Sequence, residues 1–272
     1  KGERRYFQPF SGIMCKGLKK IRGKWYYFDP DRGVACSGWI TDEAGNRRYF
    51  DPTTFVMAEG EQTIDGKTST FDEKGVGTLK QDKWNQLLET YENDSSVNQL
   101  IFVQYQVGSN AQVILYEKQN GSWKEDFSCQ GYVGGNGIDK VKEGDRKTPT
   151  GVFGFTKAFG IKDNPGAKLP YTKLNPYLYW CGDEQWYNTL VDVREIHHEC
   201  SGEHLISDVP HYNYVLAIDY NPECIFRKGS AIFLHCTGSN PYTGGCVAVS
   251  ESNMIRIMQT VDKGAKICIY PQ

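Results

Sequence analysis

The spacing of hydrophobic positions changes along the chain, and each change marks a different kind of element. Over the first eighty residues, short apolar and aromatic runs alternate with polar turns at Arg22-Gly23, Ala44-Gly45-Asn46 and Asp65-Gly66. Two brief strands around each turn predict one β-hairpin per unit. The units repeat: Phe7, Phe28, Phe50 and Phe71 fall 21, 22 and 21 residues apart, the last three followed by Asp and the first by Gln8. Gly17, Gly38 and Gly60 keep the same register. One hairpin of this size cannot bury its own aromatic face, whereas stacked hairpins can, so residues 1–78 read as a small β-solenoid.

Trp84, Leu87, Leu88 and Tyr91 then recur at helical spacing until Asn93-Asp94-Ser95-Ser96 breaks the pattern, which predicts a helical linker within residues 79–97. From Leu100 the pattern turns to strands: Leu100-Ile101-Phe102-Val103, then residues 111–116 beyond Gly108-Ser109-Asn110, then a Gly-rich stretch at 131–137. Near the end, Ser250 as N-cap and an apolar stripe predict a helix over 250–261, with a closing strand over 266–270. The expected architecture is mostly β with few helices: a hairpin solenoid at 1–78, a helical linker at 79–97 and a β domain at 98–272.

Composition narrows the function classes. A net charge of -2, a pI near 6.3 and 24% charged residues give no basic face for nucleic acid. No apolar run reaches the roughly 18 residues of a membrane-spanning helix. The sequence starts at Lys1 without Met or a signal sequence, and is read as a mature or trimmed chain whose targeting segment has been removed. Its nine cysteines stand singly and never as CxxC, which excludes a zinc ribbon or thioredoxin motif. Their odd number leaves at least one thiol free unless two chains are bridged. A secreted chain from an oxidising setting would pair most of them; the preferred reading keeps many as small buried hydrophobes.

Chemistry concentrates in residues 231–250, which hold one His, two Cys and three Gly. His235 closes an apolar run typical of a buried strand. Cys246 follows Gly244-Gly245 and precedes Val-Ala-Val, so it sits on a turn entering another strand. The glycines let backbone N–H groups approach one atom closely, as an oxyanion hole for acyl transfer requires. An adjacent imidazole would take the thiol proton and lower its pKa. Cys236, inside the apolar run, reads as core. Residues 142–147 lack the glycine spacing of a phosphate loop and read as a turn before a strand.

Three segments resemble the L,D-transpeptidase (YkuD-like) catalytic domain: Glu143-Gly-Asp-Arg-Lys-Thr-Pro-Thr-Gly-Val-Phe153, Gly229-Ser-Ala-Ile-Phe-Leu-His235 and Thr243-Gly-Gly-Cys-Val-Ala-Val249. The resemblance implies a β-sandwich-like domain that acts on peptidoglycan stem peptides without metal or other cofactor. It implies Cys246 as nucleophile on the carbonyl of stem position three, expelling the terminal D-Ala and leaving a thioester. A second stem's amine would resolve it. His235 would carry the proton, and the Gly245 and Cys246 amides in the Gly244-Gly245-Cys246 turn would hold the oxyanion. Many members place a second His just before the Gly-Cys and an Arg or Asn two residues after it. This chain has Gly244 and Ala248 there, and its His-to-Cys gap, 235 to 246, is shorter.

Between these segments, residues 180–188 and 203–214 are rich in aromatic and polar side chains. Trp186, Tyr187, His204 and Tyr212, with Tyr242 and Thr243 beside the motif, are the expected substrate-lining residues; simple packing is the other reading. His197, His198, Cys200, His204 and His211 crowd together in sequence, but their spacing matches no closed zinc site, so no metal ligand is assigned. Residues 1–78 resemble cell-wall-binding repeats of the choline-binding and glucan-binding type, through Gly23-Lys24-Trp25-Tyr26-Tyr27-Phe28 and Gly38-Trp39-Ile40. This implies a wall glycan or choline-like ligand held by Trp25, Tyr26 and Trp39; packing of the solenoid is the alternative role for these rings. A secreted, wall-associated bacterial enzyme is the expectation. A carboxypeptidase using the same Cys, and an inactive wall-binding scaffold, are the rivals.

Overall fold

A computed structural model describes residues 3–42, 46–64, 67–79 and 83–271. The chain divides into two compact units, Lys1–Gln86 and Leu87–Gln272.

The first unit is a series of hairpins. β1 (Gly17–Ile21) pairs with β2 (Lys24–Phe28), and β3 (Ala35–Cys36) adds to β2. β4 (Gly38–Thr41) pairs with β5 (Arg47–Phe50), and β6 (Gly60–Ile64), β7 (Lys67–Phe71) and β8 (Gly77–Leu79) form the third set. The turn at Arg22-Gly23 has φ of +49° and +83°, the left-handed pair that matches the twist of a two-residue hairpin. The other two predicted turns fall wholly or partly on residues 43–45 and 65–66, outside the described residues.

The aromatic-Asp signature has two separate jobs. Phe28, Phe50 and Phe71 are buried, with Met57 and Ile64, and make the core of this unit; Phe7 is exposed. Each following Asp closes the next turn: Asp29 accepts from the Asp31 and Arg32 amides, Asp51 from Thr53 and Thr54, and Asp72 from Lys74 and Val76, at 2.6–2.9 Å. Such side-chain acceptors replace a backbone turn.

The connecting helix α1 is shorter than the spacing suggested, spanning Lys83–Thr90. Beyond it the Asp94 carboxylate accepts from the Ser96 amide and hydroxyl, so the backbone is held in a turn and cannot extend the helix.

The second unit is built on a ten-stranded sheet. Its strands are β9 (Gln99–Tyr105), β10 (Asn110–Gln119), β11 (Ser122–Tyr132), β12 (Gly151–Phe153), β13 (Phe155–Gly160), β14 (Tyr171–Lys173), β18 (Val215–Ile218), β19 (Phe233–Cys236), β20 (Val247–Val249) and β21 (Lys266–Pro271). They lie in the order β12-β21-β9-β10-β11-β20-β19-β18-β13-β14. A separate small sheet, β16-β15-β17, comprises β15 (Leu178–Cys181), β16 (Thr189–Asp192) and β17 (Glu203–His204); the short helix α2 (Val193–Ile196) follows β16. The helix α3 (Glu251–Thr260) starts where Ser250 accepts from the Asn253 amide, and it buries Met254, Ile257 and Met258.

Alternation along β18, β19 and β20 sorts side chains between two cores. Leu216, Ile218, Leu234, Cys236, Val247 and Val249 join α3, Ile101 and Val113 in the larger one. Val215, Ala217 and Phe233 enter a second cluster with Trp180, Leu205, Tyr212 and Cys246. Full burial of a side chain such as Phe233 or Leu234 contributes roughly 1.5–3 kcal/mol. No helix among the described residues is long and apolar enough to cross a membrane.

Candidate active site

β19 and β20 are parallel neighbours, with Leu234 opposite Val247 and His235 opposite Ala248. Extending that register by one residue sets Cys246 beside Phe233. Because alternate residues share a face, Cys246 and His235 project to the same side of the sheet. Both line one cavity of about 280 Å³, with Glu143, Glu203, Asp208, His211, Tyr212, Ala231, Tyr242 and Thr243 among its walls.

Three distant segments hold Cys246 in place. Thr148 donates from Oγ1 to the Cys246 carbonyl at 3.0 Å and accepts from the Gly134 amide at 2.8 Å. Thr243 Oγ1 donates to the same carbonyl at 2.7 Å, and its backbone bridges to Val133 and Gly135. Gly134 must be glycine, because a Cβ there would run into the Arg146 carbonyl. Gly245 has φ of +150°. Its amide donates to Thr243 Oγ1 at 3.1 Å, so in this structure that N–H serves the turn itself and not an open oxyanion position.

The reacting groups rest in neutral form. Cys246 Sγ donates to the Ala231 carbonyl at 3.2 Å and accepts from the Phe233 amide at 3.3 Å. Burial pushes the thiol up to about 12, and the Glu203 carboxyl adds to the rise against the Phe233 amide. The expected acidified thiol is therefore not found: the sequence shows an imidazole nearby but not the depth at which both groups sit. Burial also brings His235 down to about 4, opposed by its bond to the Cys236 carbonyl and aided by His211. That bond, Nδ1 to carbonyl oxygen at 2.7 Å, fixes the tautomer, since a carbonyl only accepts. Nδ1 carries the hydrogen, and Nε2 keeps the lone pair that a base needs.

The expected lining residues divide. Tyr212 is buried beside His235, their ring centroids 5.7 Å apart, and its hydroxyl donates to Glu203. Tyr242 stands at the rim with the Arg146 guanidinium over its ring at 5.2 Å. Tyr187 lines an adjoining cavity of about 450 Å³ that shares Glu143, Glu203 and Ser230 with the first; its hydroxyl donates to Glu143 and accepts from the Gly229 amide. Trp186 lines neither cavity. His204 stacks on Tyr179 at 4.5 Å, and its ring nitrogens bond the Pro176 carbonyl and Ser207, so it packs the small sheet instead of facing substrate.

Several cavity residues escaped the sequence reading. Glu203 is open to solvent on one side, and the desolvation of its carboxyl by the surrounding side chains raises it against the Tyr212 hydroxyl. His211 bonds Asp208 at 2.9 Å and stands edge-on to His235 at 5.8 Å. Lys140 pairs with Asp145 at 2.9 Å. Although burial raises Asp145, the Lys142, Val141 and Lys147 amides and the Lys140 ammonium hold it well below the carboxylate range. Glu143, Asp145 and Thr148 lay within a segment that stood out in sequence, and Glu203, Asp208 and His211 within the aromatic and polar stretch, whereas Lys140 lay in neither. The His/Cys-rich stretch does not close on one site as read: His204 and His211 have the partners just given, while His198 bonds Asp183.

In the first unit, Trp39 stacks on Phe71 of the next hairpin at 5.7 Å and carries the Arg47 guanidinium at 4.7 Å. Trp25 meets Lys20 at 5.6 Å. Tyr26 follows Trp25 on β2 and so projects to the opposite face. The three rings do not converge on one cavity among the described residues.

Fold and site together define a mostly β protein in which hairpin repeats accompany a domain with a buried cysteine thiol and a base-capable imidazole in one cavity. The sequence profile of the L,D-transpeptidase catalytic domain matches residues 82–269, and that of the choline-binding repeat matches residues 15–58. The chain belongs to the L,D-transpeptidase catalytic domain family, of transpeptidase and peptidase-type enzymes. No curated protein matches the sequence. Among solved structures, the helical cell shape determining protein Pgp2 from Campylobacter jejuni is 19% identical, over 69% of this chain and 55% of its own, with a TM-score of 0.38. Bd1075 from Bdellovibrio bacteriovorus is 15% identical, over 64% and 48%, at 0.36. Choline binding protein F from Streptococcus pneumoniae is 21% identical, over 44% and 31%, at 0.26. The chain thus spans between about a third and about half the length of these structures.

Proposed function

We propose that this protein is a peptidoglycan L,D-transpeptidase that joins stem peptides through a thioester on Cys246. The observation that carries the proposal is the placement of Cys246 and His235 on one face of adjacent parallel strands, with Nδ1 of His235 committed to the Cys236 carbonyl and Nε2 left as acceptor. As Sγ leaves the Ala231 carbonyl, its proton passes to Nε2 and sulfur attacks the stem carbonyl. The imidazolium returns the proton to the departing D-Ala amine. In the second half the imidazole takes a proton from the acceptor amine, which attacks the thioester and releases the thiol. General acid–base help of this kind contributes roughly 10²–10⁴ in rate.

The charge of the cavity favours an amine as acceptor. Glu143, Glu203 and Asp208 line it, while its one lysine, Lys140, is tied to Asp145. The adjoining cavity, sharing Glu143 and Glu203, offers room for a second stem. The repeats would hold the enzyme on a wall glycan or choline-like ligand, raising the local stem concentration by tethering.

Disaccharide-tetrapeptide fragments incubated with the protein, beside Cys246→Ala, test this reading by product mass. Cross-linked dimers lacking one D-Ala are expected from the parent chain alone. Tripeptides without dimers would make it a carboxypeptidase, and unchanged substrate from both would return it to a binding scaffold. Deleting residues 1–78 should abolish retention on isolated walls while leaving turnover of soluble fragments.

A further inference from the structure

The small sheet β16-β15-β17 carries a second group of chemistry-bearing side chains that the proposed reaction does not use. β15 and β17 are antiparallel, with Tyr179 opposite His204 and Trp180 opposite Glu203. Continued past the strand ends, that register sets Cys181 opposite Gly202 and Asp183 opposite Cys200. Alternation then puts Cys181, Asp183 and Cys200 on one side of the ribbon, and His198 two residues before Cys200. The segments approach closely because residue 202 is glycine: a Cβ there would run into the Trp180 carbonyl.

The ligand atoms of Cys181, Asp183 and Cys200 all lie within 4.8 Å of one another. Asp183 Oδ2 is 3.7 Å from Cys181 Sγ and 3.0 Å from His198 Nε2. A tetrahedral zinc ion, with bonds of about 2.3 Å to sulfur and about 2.0–2.2 Å to nitrogen and oxygen, spaces its ligand atoms by roughly 3.2–3.8 Å. Cys181, Asp183 and Cys200 already lie close to that spacing, and His198 adjoins them through its bond to Asp183 Oδ2. The Ser201 amide and hydroxyl both donate to Asp183, the outer support that a carboxylate ligand needs to keep its orientation.

We propose that Cys181, Asp183, His198 and Cys200 form a tetrahedral site for one zinc-class transition-metal ion. Binding releases the two thiol protons to solvent, leaving two thiolates, one carboxylate and a neutral imidazole around the dication. The ion staples the end of β15 to the loop before β17. That loop leads directly into Glu203, a wall of the Cys246 cavity that accepts from Tyr212. The assignment is independent of the reaction proposed above.

The test is titration of the reduced, metal-free full chain with cobalt(II), read by absorption. One equivalent should produce thiolate-to-cobalt charge-transfer and tetrahedral ligand-field bands that zinc displaces. Cys200→Ser, at a partly exposed position, and Asp183→Asn should each weaken affinity at least tenfold, with near-ultraviolet dichroism confirming the fold. Cys129→Ser and Cys246→Ala should keep the full spectrum. Absence of thiolate bands, their persistence at full affinity in Cys200→Ser, or their loss in Cys246→Ala would overturn the site. A Cys181–Cys200 disulfide in the purified chain, with no metal uptake after reduction, would assign the pair to redox chemistry instead.

Discussion

At the scale of single residues, the resting protonation of Cys246 and His235 decides how the enzyme depends on pH. Burial holds the imidazole near 4 and the thiol near 12, so over the range between them both are neutral and Nε2 is available as base. As pH falls through about 4, Nε2 becomes protonated and the base is lost. The acid limb of kcat/KM, which reports the free enzyme, is therefore expected near 4; a limb near 6.5 would show a solvated imidazole and contradict the burial argument. The sequence displayed the Gly-Gly-Cys turn and the strand-borne His because each is a local pattern. It did not display the direction of the thiol's shift, which depends on what covers the sulfur. Nor could it separate Tyr212 from His204, two ring-bearing residues of one segment, of which one enters the cavity and the other satisfies both ring nitrogens in the small sheet.

At the scale of elements, the site depends on threonines that tie segments far apart in sequence. Thr148 joins the Gly-rich loop after β11 to the turn before β20. Thr148→Val keeps the volume but strands the Gly134 amide and removes one donor from the Cys246 carbonyl. A loss of about 1–3 kcal/mol is expected, read as a lower Tm in thermal unfolding, together with slower turnover; an unchanged Tm and rate would remove Thr148 from the support of the nucleophile. The hairpins, α3 and β21 were legible because their periods, caps and turns are local. The end of α1 was less so, since the Asp94 turn competes with the helix at a point that spacing alone does not mark. The short strands β14, β16 and β17 were not legible either. Two to four residues carry too little alternation, and it is the pairing of β15 with β17 that brings Glu203 to the cavity.

At the scale of the whole molecule, the repeat period marked off the hairpin units of the first eighty residues from the rest of the chain before any motif was considered. The same sequence order conceals how Cys181 and Asp183 meet His198 and Cys200, a relation set by register across a turn-rich insertion. The proposed reaction turns on acylation of Cys246 by the stem peptide. Intact-protein mass spectrometry, after brief mixing with tetrapeptide fragments and acid quench, tests it most directly. A mass increase equal to the stem fragment minus D-Ala, mapped to the Cys246 peptide and absent from Cys246→Ala, is the expected result. Turnover without that adduct, or an adduct on another cysteine, would contradict the account.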